Sequence, residues 1–388
     1  MAQEIRIEPA LLSCVRRFGK FDVGGCFNCG SCTITCPLSK DSASFPRRTI
    51  RYVHYGLKDK LRTGLEPWLC YYCGDCAVTC PHQAEPGEAM MTLRRYLSSQ
   101  YDWTGLSSRL YRSGIARFIA SLFVAGLVFL LVLFYHLKFV EALQGVQAGD
   151  FLKMSLGLSH MFGNITYFTY VVFLIPVVLM ITNAFRMYWL SIHKDKGMRI
   201  PPVLFLKEMK TLLLHGFAQM RFRECTDKTR WVKHLILFGG FALISILVLF
   251  FLKWFQTDNI YPIYHPQRWL GYLATLALLY GSGESLLGRI RKKEQVHRFS
   301  SFSDWSLPTL IFLTALTGIA VHIFRYLGFA MTAHYAYFVH MVVVVPMLIV
   351  EIPFGKLGHA VYRPLGLYFQ AVKESALGQE AVSEAKAA

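Results

Sequence analysis

Apolar and polar positions are mixed through the first hundred residues, but from Gly114 onward the apolar ones gather into long blocks. The blocks lie near residues 115–135, 157–182, 234–253, 268–288, 305–325 and 335–354. Each is about twenty residues long, the length a helix needs to cross roughly 30 Å of hydrocarbon. Six membrane-spanning helices are therefore expected, and an even number returns the C-terminus to the side where the first span began. Between the second and third blocks, the stretch from Ile200 to Arg230 is basic and partly amphipathic, which suits a segment lying along the membrane surface. Upstream, FPRRTIRYVHYGLKDKLRTG sets Ile50, Val53, Leu57 and Leu61 at helical spacing, with Gly64 as its stop. The expected fold is mainly α. Residues 1–110 form a small helical domain, residues 111–365 a six-helix transmembrane bundle and residues 366–388 a C-terminal tail.

Composition supports the membrane reading, since 54% hydrophobic and 15% aromatic residues are rich for a water-soluble chain. A net charge of +17 raises the question of nucleic acid until the basic residues are located. Arg112 and Arg117 precede the first block. Arg186, Lys194, Lys196 and Arg199 follow the second, and Arg289, Arg291, Lys292 and Lys293 follow the fourth. The opposite connections, LKFVEALQGVQAGDFLK and the stretch from Thr257 to His265, carry few basic residues. The positive-inside rule produces this distribution and makes the basic ends cytoplasmic. With no recognition motif beside the charge, it argues against nucleic-acid binding. The expected location is the bacterial cytoplasmic membrane, multi-pass, with both termini and the N-terminal domain in the cytoplasm.

Ten cysteines could form a secreted disulfide framework, but MAQEIRIEPA has neither the basic start nor the apolar run of a signal peptide. Eight of the ten fall into two clusters with metal-ligand spacing. Cys26, Cys29, Cys32 and Cys36 with Pro37 spell C-x2-C-x2-C-x3-C-P, and Cys70, Cys73, Cys76 and Cys80 with Pro81 repeat it. This is the signature of bacterial ferredoxins that carry two 4Fe-4S clusters, and it makes the N-terminal domain ferredoxin-like. In that motif three thiolates wrap one cuboidal cluster, while the fourth points to the other. Cys26, Cys29, Cys32 and Cys80 are therefore assigned to cluster 1, and Cys70, Cys73, Cys76 and Cys36 to cluster 2. Four-cysteine zinc sites are the alternative, against which stand two complete copies ending in Pro. Cys14 and Cys225 lie outside the pattern and read as bystanders, and His54 as a surface or packing histidine.

Ionisable residues in a membrane span are costly and mark function. His234, His322 and His340 lie inside the blocks, with His136, His160 and His359 at their edges. A haem b requires two imidazoles from different helices facing one gap, each with its other ring nitrogen fixed by a hydrogen bond.

Two resemblances sharpen these readings. The helix inserted between the cysteine motifs, with its Pro-Arg and Gly-Leu-Lys, makes residues 20 to 100 resemble the iron-sulfur subunit of heterodisulfide reductase. The last block, from His340 through IPFGKLGH to His359 and YRPL, resembles the final helix of the cytochrome b subunit of respiratory nitrate reductase. That resemblance implies that His340 and His359 are haem ligands. If the helix were continuous, nineteen residues would separate them by roughly 28 Å, enough to serve two haems at opposite faces. The family's partner helix resembles RWVKHLILFGGF, which implies that His234 pairs with His359. The corresponding partner for His340 falls on Ile244, a departure from the family. His160 is the preferred replacement and His322 the alternative, and a single haem stays open.

The pairing of these two halves resembles the C-subunit family of the quinone-interacting membrane-bound oxidoreductases of sulfate-reducing bacteria. The resemblance implies electron transfer between menaquinone and soluble flavin and iron-sulfur partner subunits, with adenylylsulfate reductase downstream. No GxGxxG opens a βαβ unit, so flavin chemistry belongs to other subunits. A membrane subunit of a heterodisulfide or sulfite-linked reductase is the alternative reading, and a passive anchor is a second. A quinone headgroup needs hydrogen-bond donors beside an apolar cleft. His265 and Arg268, at the start of the fourth block, are the candidates; membrane-surface anchoring beside Tyr264 and Trp269 is the competing role.

Overall fold

The computed structural model describes residues 6–22, 24–39, 44–143, 165–195, 200–255, 259–292 and 294–387. Among the described residues all regular structure is helical. The N-terminal domain is built around the helix Pro86–Tyr101, of which nearly every residue is buried. The two cysteine motifs fold alike. Asn28 and Tyr72 have φ near +54° and +55°, Gly30 and Gly74 have φ of 94° and 96°, and a short helix follows each glycine, Ser31–Thr35 and Asp75–Val78. Alternating left-handed residues turn successive N–H groups towards one concavity, as at many iron-sulfur sites.

The helix expected across residues 46 to 64 is instead two, Arg47–His54 and Lys58–Thr63. Gly56 breaks it, with φ of +66° and a carbonyl that accepts the Glu8 N–H at 2.8 Å. A side chain there would meet the Glu8 backbone oxygen at 2.6 Å, so the N-terminal segment seats on the glycine. The apolar positions keep their role: Ile50, Val53 and Leu61 are in the core.

Among the described residues, five helices are long and apolar enough to cross a bilayer: α1 (Gly114–Leu137), α2 (Tyr167–His193), α3 (Lys228–Phe250), α5 (Phe302–Tyr326) and α6 (Ala330–Phe354). Between α3 and α5 packs α4 (Pro266–Arg291), whose 26 residues reach about 39 Å but carry Arg268, Glu284 and Arg289 and are less apolar. Helix α6 is the bundle's centre, packed against α1 and α5, with 56% of its apolar window buried against 11% in α1.

Helix α6 is not continuous through to His359. After Pro346 it widens into a π-helical turn, Met347–Glu351, and resumes at Ile352–Phe354. It then breaks at Gly355 and re-enters through the 3-10 turn Lys356–Gly358 into α7 (His359–Ala387). Pro346 and Pro353 cannot donate to the ladder, and any side chain at Gly355 would strike Glu351 and Arg117. Arg117, counted above with the basic flanks, is itself 1% exposed and paired with Glu351 at 3.0 Å. Its guanidinium also donates to Phe354 O at 3.1 Å, while Ser306 donates to Glu351 and Tyr111 to Gly355 O. It is a pin for the broken helix.

The N-terminal core does not stop at the membrane helices. Trp68, Leu93 and Tyr101 form one apolar cluster with Met187 of α2, Leu204 and Phe222 of the 200–225 segment, and Tyr362, Leu367 and Val372 of α7. The 200–225 segment leaves Val203, Leu206, Leu213 and Phe217 exposed, the apolar face that a membrane-surface segment needs.

Candidate functional site

Cys26 and Cys32 lie within electrostatic reach of one another, of Cys29 and of Cys80, whereas Cys36 faces Cys70 and Cys73 and stands beside Cys76. Cys36, Cys70, Cys73 and Cys76 line one cavity together with Tyr72 and Gly87. Among the described residues no three His, Cys, Asp or Glu side chains close on a single metal ion. Burial pushes the Cys36 thiol up to about 12 and raises Cys70 and Cys76 as well. The neutral thiol is favoured there, so ligation to iron releases protons. The two cradles differ in access: Cys29 is exposed, as are Phe27 and Ile34 of the same motif, whereas Cys70 and Cys76 are buried.

The segment leading into α3 clamps the second cradle. Phe222 stacks on Tyr71 at 4.8 Å between ring centroids, and Arg221 donates to Leu38 O at 2.8 Å. Thr226 donates to Asp75, and Arg230 donates to the carbonyls of Cys73 and Tyr72 at 2.9 and 3.1 Å. Cys225, read above as a bystander, is 1% exposed and sits within hydrogen-bonding reach of the Cys73 sulfur.

A buried polar chain joins the same cradle to the membrane bundle. Tyr72 donates to Glu88 at 2.7 Å, Arg95 bridges Glu88 and Asp304 at 3.3 and 3.1 Å, and Lys356 donates to Asp304 at 2.6 Å. Burial pushes the Glu88 carboxyl up, opposed by the Arg95 guanidinium and the Tyr72 hydroxyl. The chain ends at His359, whose Nδ1–H donates to Lys356 O.

His234 and His359 face each other with ring centroids 6.0 Å apart and an interplanar angle of 63°. Two imidazoles on one metal, each about 2.0–2.1 Å from it, place their centroids roughly 6 Å apart. The interplanar angle is free, because each ring turns about the ligation axis. His359 has its Nδ1 fixed, leaving Nε2 to ligate, and burial holds it neutral, the state in which imidazole binds metal. His234 Nδ1 is buried with no hydrogen-bond partner, a cost of about 1–3 kcal/mol unless something satisfies it. The residues present thus fit a haem b. Phe222 continues the series, 5.8 Å from His234, so Tyr71, Phe222, His234 and His359 run ring to ring from the second cradle.

The far end of the bundle holds a cavity of about 270 Å³ among α2 to α6, lined by His340, His322, Arg268 and Tyr272 with Phe168, Phe241 and Ile244. His340 Nδ1 contacts Thr317 Oγ1 at 2.9 Å. Both nitrogens of His322 are engaged. Arginine has no acceptor, so Arg268 donates to Nδ1 at 2.7 Å and the ring proton sits on Nε2, which donates to Tyr272 O at 2.7 Å. His322 and His340 thus line one cavity, with both nitrogens of His322 hydrogen-bonded to Arg268 and Tyr272, and His160 lies outside the described residues. His265 and Arg268 separate: His265 stacks on Tyr261 and caps α4 by accepting the Gln267 N–H, while Arg268 lines the cavity. Sequence reasoning missed Tyr272. It also missed His334, fully buried and bonded to His136 at 2.9 Å between nitrogens.

Residues 22–84 match the family model of the 4Fe-4S dicluster domain. A heterodisulfide reductase C-subunit-like protein of Archaeoglobus profundus is 28% identical over 100 residues, which is 26% of this chain and 53% of that protein. The chain thus spans about half the length of the curated relative it matches. No solved structure matches the chain. The N-terminal segment is accordingly an iron-sulfur, electron-transferring domain of 4Fe-4S dicluster type, carried on a membrane protein.

Proposed function

We propose that this chain is the electron-transfer subunit of a quinone-linked oxidoreductase complex in the bacterial cytoplasmic membrane, with six spans and the iron-sulfur domain on the cytoplasmic face. It connects menaquinone, through haem b and two 4Fe-4S clusters, to soluble flavin and iron-sulfur subunits, and ultimately to adenylylsulfate reductase. The observation that carries the reading is the ring series from Tyr71 beside Cys70, through Phe222, to His234 and His359. It joins the cradle of Cys36, Cys70, Cys73 and Cys76 to the histidine pair. The cradle of Cys26, Cys29, Cys32 and Cys80, with its exposed apolar rim, is then the outlet to the soluble subunits.

Haem b, when bound, supplies a one-electron couple between a two-electron quinol and one-electron clusters. The chain's residues do the rest. His234 and His359 would hold the group beside the clusters, and His340 would hold a second, with His160 as its expected partner. In the far cavity Arg268 donates to a quinone carbonyl, while Tyr272 and the Nε2–H of His322 form a proton route among apolar walls. Lys356 lies near His234 as a cation for acidic substituents of the macrocycle.

The test is a reduced-minus-oxidised spectrum of the purified protein with iron quantified and a menaquinol analogue added. Quinol should reduce both b-type and cluster signals. A full-length protein without b-type absorption would leave it a passive anchor. The A. profundus relative favours a second reading, a heterodisulfide or sulfite-linked reductase of the same build. The soluble subunits that co-purify, identified by mass spectrometry, separate the two.

A further inference from the structure

Arg363, in the first turns of α7, has no place in the cradles or the histidine pair, yet it lies between them. Its guanidinium sits 4.3 Å from the centre of the Tyr71 ring, and its Nε is buried with no hydrogen-bond partner. It acts on both His234 and His359 as a nearby charge. Among the described residues, the groups facing it that can carry negative charge are Tyr71, Cys70 and Cys225, and no Asp or Glu pairs with it. A guanidinium whose Nε is sealed from water with no carboxylate beside it is costly and calls for another anion. The cluster of Cys70 is one, because a 4Fe-4S core held by four thiolates is a net anion that gains a further negative charge on reduction.

We infer that Arg363 is the counter-charge shared by cluster 2 and the histidine-bound haem, stabilising the reduced state of both centres. It is a positioning residue: it ligates neither centre and sets how readily each accepts an electron. A cation beside a centre that becomes more negative on reduction raises its potential, so removing the charge lowers it. Cluster 1, whose cysteines do not face Arg363, is the internal control.

This inference rests on the cluster and haem reading above, and the experiment separates the two. Arg363→Gln and Arg363→Lys are made in the full chain, and both clusters are titrated by paramagnetic resonance and the haem optically. The glutamine variant should shift cluster 2 towards the oxidised form by about tenfold in its ratio, 59 mV for one electron, with the haem moving the same way and cluster 1 nearly still. The lysine variant, which keeps the charge, should restore most of that shift. Native potentials in the glutamine variant overturn the inference, and so do equal shifts in both clusters, which would mark a general effect. Should the glutamine variant fail to assemble, the lysine variant decides alone: near-native potentials support the shared charge, and a full-size shift in cluster 2 overturns it. Absence of b-type absorption from the unmutated chain would sink the haem reading and the haem half of this one, while the cluster 2 shift still decides the other half.

Discussion

At the end of the bundle beside the clusters, His234 and His359 face each other across 6.0 Å, with one nitrogen of His359 tied to a backbone carbonyl. At the far end His322 stands just as deep among helices, but Arg268 and Tyr272 occupy both of its nitrogens. The same residue type is thus prepared for two kinds of chemistry. A fixed Nδ1 and a free Nε2 orient an imidazole for metal. A doubly bonded imidazole beside a guanidinium and a phenol, on the wall of an apolar cavity, is arranged for a polar headgroup and its protons. Depth and residue identity do not distinguish these cases; the hydrogen-bond partners do.

The largest effect should come from the histidine pair. His234→Ala and His359→Ala are each expected to remove the same b-type absorption completely, and His340→Ala to remove a different one. Distinct losses in the first two variants, seen in reduced-minus-oxidised spectra, would break the pairing. Next is Arg117→Ala, which leaves Glu351 buried without its partner at 3.0 Å and should cost about 3–5 kcal/mol. Thermal unfolding in detergent should show that loss together with poor haem retention at His359, since the broken segment before it loses its pin.

A smaller change is expected from Arg268→Ala at the far end. Haem content should stay full, while quinol-driven haem reduction falls roughly 10- to 100-fold for want of a donor. An unchanged rate in stopped-flow measurements would mean that the cavity is not the quinone site. The least effect is expected from His265→Ala, which removes only a cap on α4 and should cost about 1 kcal/mol with no change in that rate. A rate loss equal to that of Arg268→Ala would return His265 to the site.

What was legible in the sequence tracks how local the chemistry is. The cysteine spacing is read within eleven residues, and the apolar blocks within twenty. The break at Gly56 was less visible, because its cause is Glu8, which approaches only in the folded chain. His234 and His359 are 125 residues apart, and only a likeness to a cytochrome b subunit put them together. Phe222 carried no signal, Cys225 read as a bystander, and Arg363 entered only as part of YRPL. Their meaning lies in which ring or sulfur stands opposite, and that is set by how α7 and the 200–225 segment dock on the N-terminal core. Arg117 shows the same limit: the sequence counts it among the basic ends of the spans, and only the folded chain shows that Glu351, 234 residues later, pairs with it.

That last pair also bears on how the molecule is made. Spans emerge from the ribosome in order, so Arg117 enters the membrane long before Glu351 is synthesised. An unpaired ion in hydrocarbon is costly, so the first span is left with an uncompensated charge until the last one supplies its mate. A chain truncated before α6 therefore loses the partner of Arg117 together with His359.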